Sequence, residues 1–170
     1  VTVRVNGGDA ITGFKFGDIQ QVNLPGGDYL IEIIPDILGT VAISASVTLE
    51  DDMQYTLAAI GDGANQSQDL FPMVDDTQPL TDSAKRRVTH LAPFAAGMAR
   101  VDICTDDGTE IIPDFDFKEF TDPYLELPAG DYDLVIALDG TSCSTVAFDI
   151  PSVRLMNGDI VDVFAIGGAN

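Results

Sequence analysis

The sequence is poor in basic residues. It has 8 Lys and Arg side chains against 28 Asp and Glu, which gives a formal net charge of −20. Nucleic acid would be repelled by such a chain, and an anionic membrane surface is disfavoured for the same reason. We therefore expect no nucleic-acid partner. The acidic residues are spread along the chain, so a solvated surface, adaptation to high salt and cation binding all remain open.

Long apolar runs and helical periodicity are also lacking. No run approaches 18 apolar residues, so we expect no membrane insertion. No basic and then apolar segment opens the sequence, and we expect any export signal to have been removed. Hydrophobic residues nevertheless make up 45% of the chain, which is enough for a core. Short alternating runs separated by Gly, Pro and Asp are typical of an all-β protein.

The alternating runs repeat in the two halves of the chain. The spacing of the copies is about a hundred residues, which suits one sandwich domain per copy. We predict two tandem antiparallel β-sandwich domains, Ig-like or transthyretin-like, over residues 1–76 and 85–170, with a linker over 77–84. The matching pairs are Val1–Val5 with Ala99–Ile103, Leu24–Tyr29 with Leu127–Tyr132, Val47 and Leu49 with Val153 and Leu155, and Leu57–Gly61 with Val163–Gly167.

The two copies differ at their ends. Domain 2 opens with a strand at Lys85–Leu91 that has no counterpart before Val1, and domain 1 closes with an edge strand at Leu70–Val74 that has none after domain 2. Domain 1 is therefore expected to lack its first strand and domain 2 its last. The sequence can be part of a longer chain, the sandwiches can simply differ, or neighbouring subunits can complete each other's sheets in a head-to-tail polymer. For the polymer, the predicted subunit interface consists of Val1, Val3 and Val5 at one end and Ile160, Val161, Val163 and Phe164 at the other.

The order of these motifs resembles a family of extracellular tandem domains, the domain-of-unknown-function family 4397. The similarity is carried by Arg87–Pro93, which contains His90, and then by Ala99–Ile103, Leu127–Tyr132 and Val163–Gly167. In the first half Val1–Val5, Leu24–Tyr29 and Leu57–Gly61 match, but the His-containing segment is absent. The resemblance implies a secreted or surface-attached β-sandwich protein, with an extracellular or cell-surface location. It implies no catalytic residue.

Two cysteines, Cys104 and Cys143, are too few for a disulfide scaffold. Strand alternation places both sulfur atoms on the outer sides of their strands, so a disulfide and two free thiols both remain open. A disulfide would imply an oxidising compartment.

Candidate catalytic chemistry is sparse. His90 is the only histidine, and no nucleophile elbow is present, so we predict no enzyme, no catalytic residue and no cofactor-binding residue. A lone His between a strand and Pro93 is expected to hydrogen-bond to nearby backbone.

Three features are candidate binding or modification sites. Asp106, Asp107 and Glu110 form the best candidate for calcium, although an ordinary acidic turn has the same composition. Asn65 opens an N-glycosylation sequon. A dense aromatic cluster predicts core packing or a platform for surface glycans. The cluster consists of Phe115, Phe117, Phe120 and Tyr124.

The sequence as a whole predicts a non-enzymatic extracellular structural protein. It would be a filament subunit assembled with copies of itself by strand addition, or part of an adhesin-like array. The alternative is a carbohydrate- or calcium-dependent binding module of a secreted or cell-surface protein.

Overall fold

The computed structural model divides the chain into two compact units, unit 1 at Val1–Asp75 and unit 2 at Asp76–Asn170. It describes residues 1–64, 66–93 and 100–167. All regular elements within these ranges are β-strands, arranged in pairs of sheets. The prediction of an all-β, sandwich-type fold is therefore confirmed.

Unit 1 contains a four-stranded antiparallel sheet, in the order β2-β1-β3-β4, and a two-stranded antiparallel sheet, β5-β6. Its strands are β1 (Thr2–Val5), β2 (Gly8–Ile11), β3 (Gly27–Ile34), β4 (Ile43–Leu49), β5 (Gln54–Ile60) and β6 (Asp69–Asp75).

The core of unit 1 follows from strand alternation. Ile31 and Ile33 on β3, Ile43 on β4 and Leu70 on β6 form one buried cluster. The valines of β1 pack against this cluster and remain half-buried. Because one face of each strand is apolar, sliding a strand by one residue would expose that face, and the register is fixed.

Unit 2 contains a four-stranded antiparallel sheet, in the order β12-β11-β8-β9, and a three-stranded sheet, β10-β7-β13. Its strands are β7 (Ala84–His90), β8 (Val101–Thr105), β9 (Glu110–Phe115), β10 (Leu125–Leu127), β11 (Gly130–Leu138), β12 (Val146–Leu155) and β13 (Ile160–Ala165). The pairing of β13 with β7 is parallel. The expectation of purely antiparallel sheets is thus wrong for this one pair.

The proline turn before β3 recurs before β11 with the same side-chain contact. The hydroxyl of Tyr29 donates to the carbonyl oxygen of Pro25 at 2.8 Å, and that of Tyr132 donates to the carbonyl oxygen of Pro128 at 2.8 Å. Each tyrosine therefore links the start of its strand to the loop that precedes it.

The strand pairing defines which residues of the two units correspond, in more detail than the sequence motifs do. Tyr29 pairs with Val47 and Tyr132 pairs with Val153, as the repeat predicts. Four residues further along the two strands, Ile33 pairs with Val3 and Ile136 pairs with Ile103.

The register also corrects one alignment. Val1–Val5 corresponds to Val101–Thr105 rather than to Ala99–Ile103, and Ala99 itself lies outside the described residues. The shift is two residues, so the same side chains still face the core.

Candidate functional site

Strand β5 in the smaller sheet of unit 1 corresponds to β13 in the smaller sheet of unit 2. These two strands have their hydrogen-bonded neighbours on opposite edges. In unit 1, β5 is joined by β6, and β6 packs over β4. Leu70 of β6 shares a core cluster with Ile43 of β4, and a groove between these two strands is lined by Val47 and Pro72. The strand beside β5 therefore lies at the β4 end of the unit.

In unit 2, the strand that corresponds to β5 by sequence is β13, and its neighbour is β7. Val88 of β7 belongs to one core cluster with Val101 and Ile103 of β8, Phe115 of β9, and Leu134 and Ile136 of β11. The ring of His90 on β7 stacks on Phe115 of β9. This contact places the end of β7 near β9, the strand that corresponds to β2 of unit 1. Unit 1 has β6 beside β5, and no described strand of unit 2 takes the equivalent position beside β13. Unit 2 has β7 beside β13, and no described strand of unit 1 takes the equivalent position beside β5.

Strand β1 is less buried than β8, the strand that corresponds to it in unit 2. Val101 is 2% exposed and Ile103 is 1% exposed, in the cluster that contains Val88 of β7. Their counterparts Val1 and Val3, and also Val5, are only half-buried. We call this surface, made of Val1, Val3, Val5 and the edge of β5 that does not face β6, the open edge of unit 1.

The unfilled position in unit 2 lies along β13. The amide of Lys85 donates to the carbonyl of Asp159, and the amide of Leu91 donates to the carbonyl of Ala165. Because alternate residues of a strand direct their backbone groups to opposite sides, Val161 and Val163 bond toward β7. The backbone groups of Ile160, Asp162 and Phe164 point to the other edge, where no strand of the described ranges pairs. We call it the open edge of unit 2.

The predicted interface residues lie along β1 and β13, and those on β13 do not all share one face. Val1, Val3 and Val5 all pack against the core of unit 1. In unit 2 the four residues are divided, because Val161 and Val163 pair with the core-facing Arg86 and Val88, while Ile160 and Phe164 face the opposite side. Whether either set binds another subunit stays a prediction.

Strand β7 carries buried basic side chains that the sequence did not reveal. Lys85 forms an ion pair with Asp76, and Arg87 forms one with Asp162, its neighbour on β13, at 3.0 Å. The Arg87 guanidinium also lies 5.0 Å from the centre of the Tyr124 ring and 6.0 Å from that of Phe120. A cation over an aromatic face is stabilised by the ring quadrupole.

Arg86 differs from its neighbours. It is fully buried, and its three guanidinium nitrogens have no hydrogen-bond partner among the described residues. Burial lowers the pKa of its side chain, because a charged group loses hydration there. Strand alternation turns it to the core side together with Val88, so the charge lies between the sheets.

The only histidine has a structural role of the expected kind. Nδ1 of His90 accepts a hydrogen bond from the backbone amide of Ala92 at 3.4 Å. Its ring stacks on Phe115 with 6.2 Å between the centres and meets the edge of Phe117 at 6.3 Å. The predicted aromatic cluster thus packs around both faces of β7. A glycan platform stays a prediction.

The calcium candidate is an acidic turn between β8 and β9. The hydroxyl of Thr105 and the backbone amide of Thr109 both donate to Oδ1 of Asp107, and the two contacts lower its pKa. Within the described ranges no group of three or more His, Cys, Asp or Glu side chains is placed to hold a metal ion. Calcium binding through Asp106, Asp107 and Glu110 stays a prediction.

A second group of carboxylates lies at the other end of the four-stranded sheet of unit 2. Partial desolvation and the neighbouring carboxylate of Asp114 raise the pKa of Asp139, and the buried Asp102 adds to the effect. Oδ1 of Asp102 accepts a hydrogen bond from the amide of Asp114 at 3.1 Å. The carboxylates of Asp114 and Asp102 therefore disfavour ionisation of the Asp139 side chain.

Cys104 and Cys143 form a disulfide, with their Cα atoms 6.1 Å apart. Both lie with Val135 and Ala137 in a small cluster separate from the main core, so the sulfur atoms are on the outer face of the sheet, as alternation predicts. Cys143 itself precedes β12 and has a positive φ of 62°. The loop around it covers the cluster and buries both residues.

Two further expectations concern location and modification. No helix among the described residues is long and apolar enough to cross a membrane. The glycosylation candidate Asn65 lies outside the described residues.

One protein-family model, described as a domain of unknown function (DUF4397), matches residues 1–99. The match covers unit 1 and the beginning of unit 2 through β7. Comparison with curated proteins and with solved structures gives no match. The correspondence between the two units is therefore carried by the sequence repeat and the shared strand register.

Proposed function

Since the chain belongs to the DUF4397 family, whose function is unknown, we propose its role from the geometry of the sheets: it is a non-enzymatic extracellular structural protein. In this proposal its subunits assemble head-to-tail into a surface filament by adding strands to one another's open edges.

The observation that supports this proposal most directly is the pair of open edges. Val3 is half-buried, whereas its counterpart Ile103 is 1% exposed and shares a core cluster with Val88 of β7. Unit 2 in turn has no described strand along the outer edge of β13, the position that β6 fills in unit 1. Each unit thus has one strand edge, of β5 in unit 1 and of β13 in unit 2, at which no strand of the described ranges pairs.

Strand addition suits such edges for two physical reasons. An open edge presents a row of N–H and C=O groups that a new strand can pair with, and the half-buried valines gain by losing contact with water. The contact joins one end of a subunit to the other end of the next. Such a heterologous contact does not close unless its rotation forms a ring, so it extends into a fibre.

The disulfide supports an extracellular setting, and the net charge determines how assembly should depend on salt. The Cys104–Cys143 disulfide would persist in an oxidising compartment. The net charge of −20 opposes close approach of subunits at low salt, and salt screens that repulsion. We therefore expect assembly of the pure chain to increase with ionic strength.

The test is electron microscopy and sedimentation of the pure chain, in low and high salt, beside two variants of one residue. Phe164→Pro removes an N–H that points to the open edge of unit 2 and leaves the β7 ladder intact. Phe164→Ala is the matched control, since it removes the ring and keeps the N–H. We expect filaments from the wild type and Phe164→Ala, and monomers from Phe164→Pro.

Circular dichroism and a melting curve must show that Phe164→Pro is folded. The proposal fails if the wild type remains a monomer at every salt concentration. It also fails if a folded Phe164→Pro assembles as well as the alanine control.

A further inference from the structure

We infer that one end of unit 1 binds the surface of a zwitterionic lipid bilayer through apolar side chains on two loops. The loops are residues 12–26, between β2 and β3, and residues 35–42, between β3 and β4. The side chains, which we call the apolar tips, are Phe16, Ile19, Ile37 and Leu38. The contact is peripheral, because the tips enter the headgroup region and do not cross the bilayer. It does not depend on the filament proposal.

The apolar tips protrude into water. Ile37 is 99% exposed, Ile19 87%, Phe16 80% and Leu38 67%. Isolated exposed apolar residues are common on protein surfaces, but several large ones at one end of a unit mark a site for protein or lipid. The tips therefore point to a binding surface.

The first loop is held at the start of β1. The amide of Phe14 donates a hydrogen bond to the carbonyl of Val1 at 3.0 Å. A tight turn follows, in which the amide of Asp18 donates to the carbonyl of Lys15 at 3.1 Å. Phe16 lies in this turn and Ile19 directly follows it, so both tips are presented at this end of the sheet.

The second loop is held beside the same residues of β1. The hydroxyl of Thr2 donates to Oδ1 of Asp36 at 3.1 Å. The amides of Leu38 and Gly39 both donate to the carbonyl of Pro35, at 3.0 Å and 2.9 Å. This turn carries the other two tips. The four side chains thus share one end of the four-stranded sheet of unit 1.

Unit 2 shows that the fold does not require apolar residues in such a loop. The loop between β11 and β12, residues 139–145, joins strands that correspond to β3 and β4, and it consists of Asp, Gly, Thr, Ser and one Cys. Cys143 is buried in the disulfide. Because polar residues make the same connection there, folding does not account for Ile37 and Leu38, whereas binding does.

The charges beside the tips favour lipid phosphate. The carboxylate of Asp18 accepts the backbone amide of Lys15 at 2.9 Å, and that of Asp36 is held by Thr2. The ammonium of Lys15 is exposed and has no ion-pair partner among the described residues. A lysine beside aromatic and aliphatic side chains suits a bilayer interface, where its stem lies in the apolar region and its charge reaches a phosphate.

The net charge of −20 determines the class of lipid. An anionic bilayer would repel the chain, whereas a zwitterionic one presents phosphate groups without a net negative charge. Lipids also rearrange around protruding side chains, while a protein partner would need a matching pocket for each. We therefore expect anionic lipid to weaken binding at low salt, and we expect added salt to reduce that effect.

The experiment measures partitioning of the full chain onto phosphatidylcholine vesicles by flotation. The wild type is expected to float with the vesicles. Phe16→Ser combined with Ile37→Ser should lower the partition coefficient at least about tenfold, because two apolar side chains no longer leave water. Met156→Ser combined with Ile166→Ser is the matched control, since it removes two exposed apolar side chains from unit 2, and it should bind like the wild type.

Circular dichroism and melting curves establish that both double variants are folded. The inference is wrong if the wild type does not partition onto the vesicles. It is also wrong if the Phe16 and Ile37 variant partitions as well as the control.

A tryptophan reporter locates the contact, because the chain contains no Trp. On vesicles, the emission of Ile37→Trp should shift to the blue and be quenched by nitroxide groups on the lipid chains, and that of Met156→Trp should not. Equal quenching at the two positions would refute the inference. A blue shift of Ile37→Trp that grows with protein concentration without vesicles would assign the tips to contacts between copies, and it would also refute lipid as the partner.

Discussion

The backbone amide of Gly26 donates a hydrogen bond to Oδ1 of Asp51 at 2.8 Å, and a Cβ atom at residue 26 would lie 2.8 Å from the Asp51 backbone nitrogen. The matching position of unit 2 is Ala129, so the same turn accepts a side chain there. The glycine of unit 1 is therefore required by a close contact.

Gly26→Ala is expected to destabilise the chain by about 1–3 kcal/mol, because the new methyl group must displace Asp51 backbone as well as its side chain. Denaturant unfolding measures the effect. Ala129→Gly, the matched control, should cost less, about 0.5–1 kcal/mol, through backbone entropy alone. Equal losses at the two sites would contradict this account.

Cys104→Ser combined with Cys143→Ser should lower the free energy of unfolding by about 4 kcal/mol, since the disulfide closes a loop with a sequence separation of 39. Chemical unfolding with and without reductant checks this. The double variant should be insensitive to reductant, and the wild type in reductant should approach it.

Arg86→Met is expected to raise the free energy of unfolding by about 1–4 kcal/mol, because it replaces a buried charge that has no hydrogen-bond partner in the described ranges with an apolar chain of similar length. Arg87→Met should have the opposite sign, since it leaves Asp162 without its ion-pair partner. Thermal melts of both variants make the comparison. A loss of stability in Arg86→Met would show that the guanidinium is stabilised in the native protein.

The raised pKa of Asp139 gives stability a defined pH dependence. The folded state binds the proton more tightly than the unfolded state, so this group favours folding below its unfolded pKa. That contribution is lost as the pH rises through the folded pKa. Asp139→Asn should therefore lose less stability than the wild type between acidic and neutral pH, as measured by denaturant unfolding at several pH values.

Asp107 is expected to give stability the opposite pH dependence. Its pKa is lowered by hydrogen bonds from Thr105 and Thr109, so its contribution is present at neutral pH and disappears as the pH falls through the folded pKa. Asp107→Asn should be less stable than the wild type at pH 7 and equal to it in strong acid. A constant difference across the pH range would rule out the charge as the cause.

Local patterns in the sequence predicted the strands that combine β-branched residues with clear turns. Gln54–Ile60 agrees with β5 at both ends, and the run around Pro72 is β6. The proline turns before β3 and β11 were also evident. Strand β2 was not predicted, because most of its residues are exposed, although Asn6 and Gly7 have the positive φ angles of a tight hairpin and their sequence signals it.

The sequence did not predict which strands pair with each other when they lie far apart in the chain. The valines of β1 could be assigned to one face, but alternation says nothing about which edge of β5 or β13 has a neighbour. The parallel pairing of β7 with β13 joins residues that are far apart in the chain and leaves no local signature. Arg86 and Arg87 read as surface residues by type, and only the packed structure shows that they are buried.

The parallel pair has a mechanical consequence. Strands β7 and β13 are the first and last strands of unit 2, so tension applied through the flanking chain pulls them in opposite directions along their length. All the hydrogen bonds between them then carry the load together, in shear, instead of opening one after another. Unit 2 should consequently resist stretching much better than a hairpin that is peeled from one end.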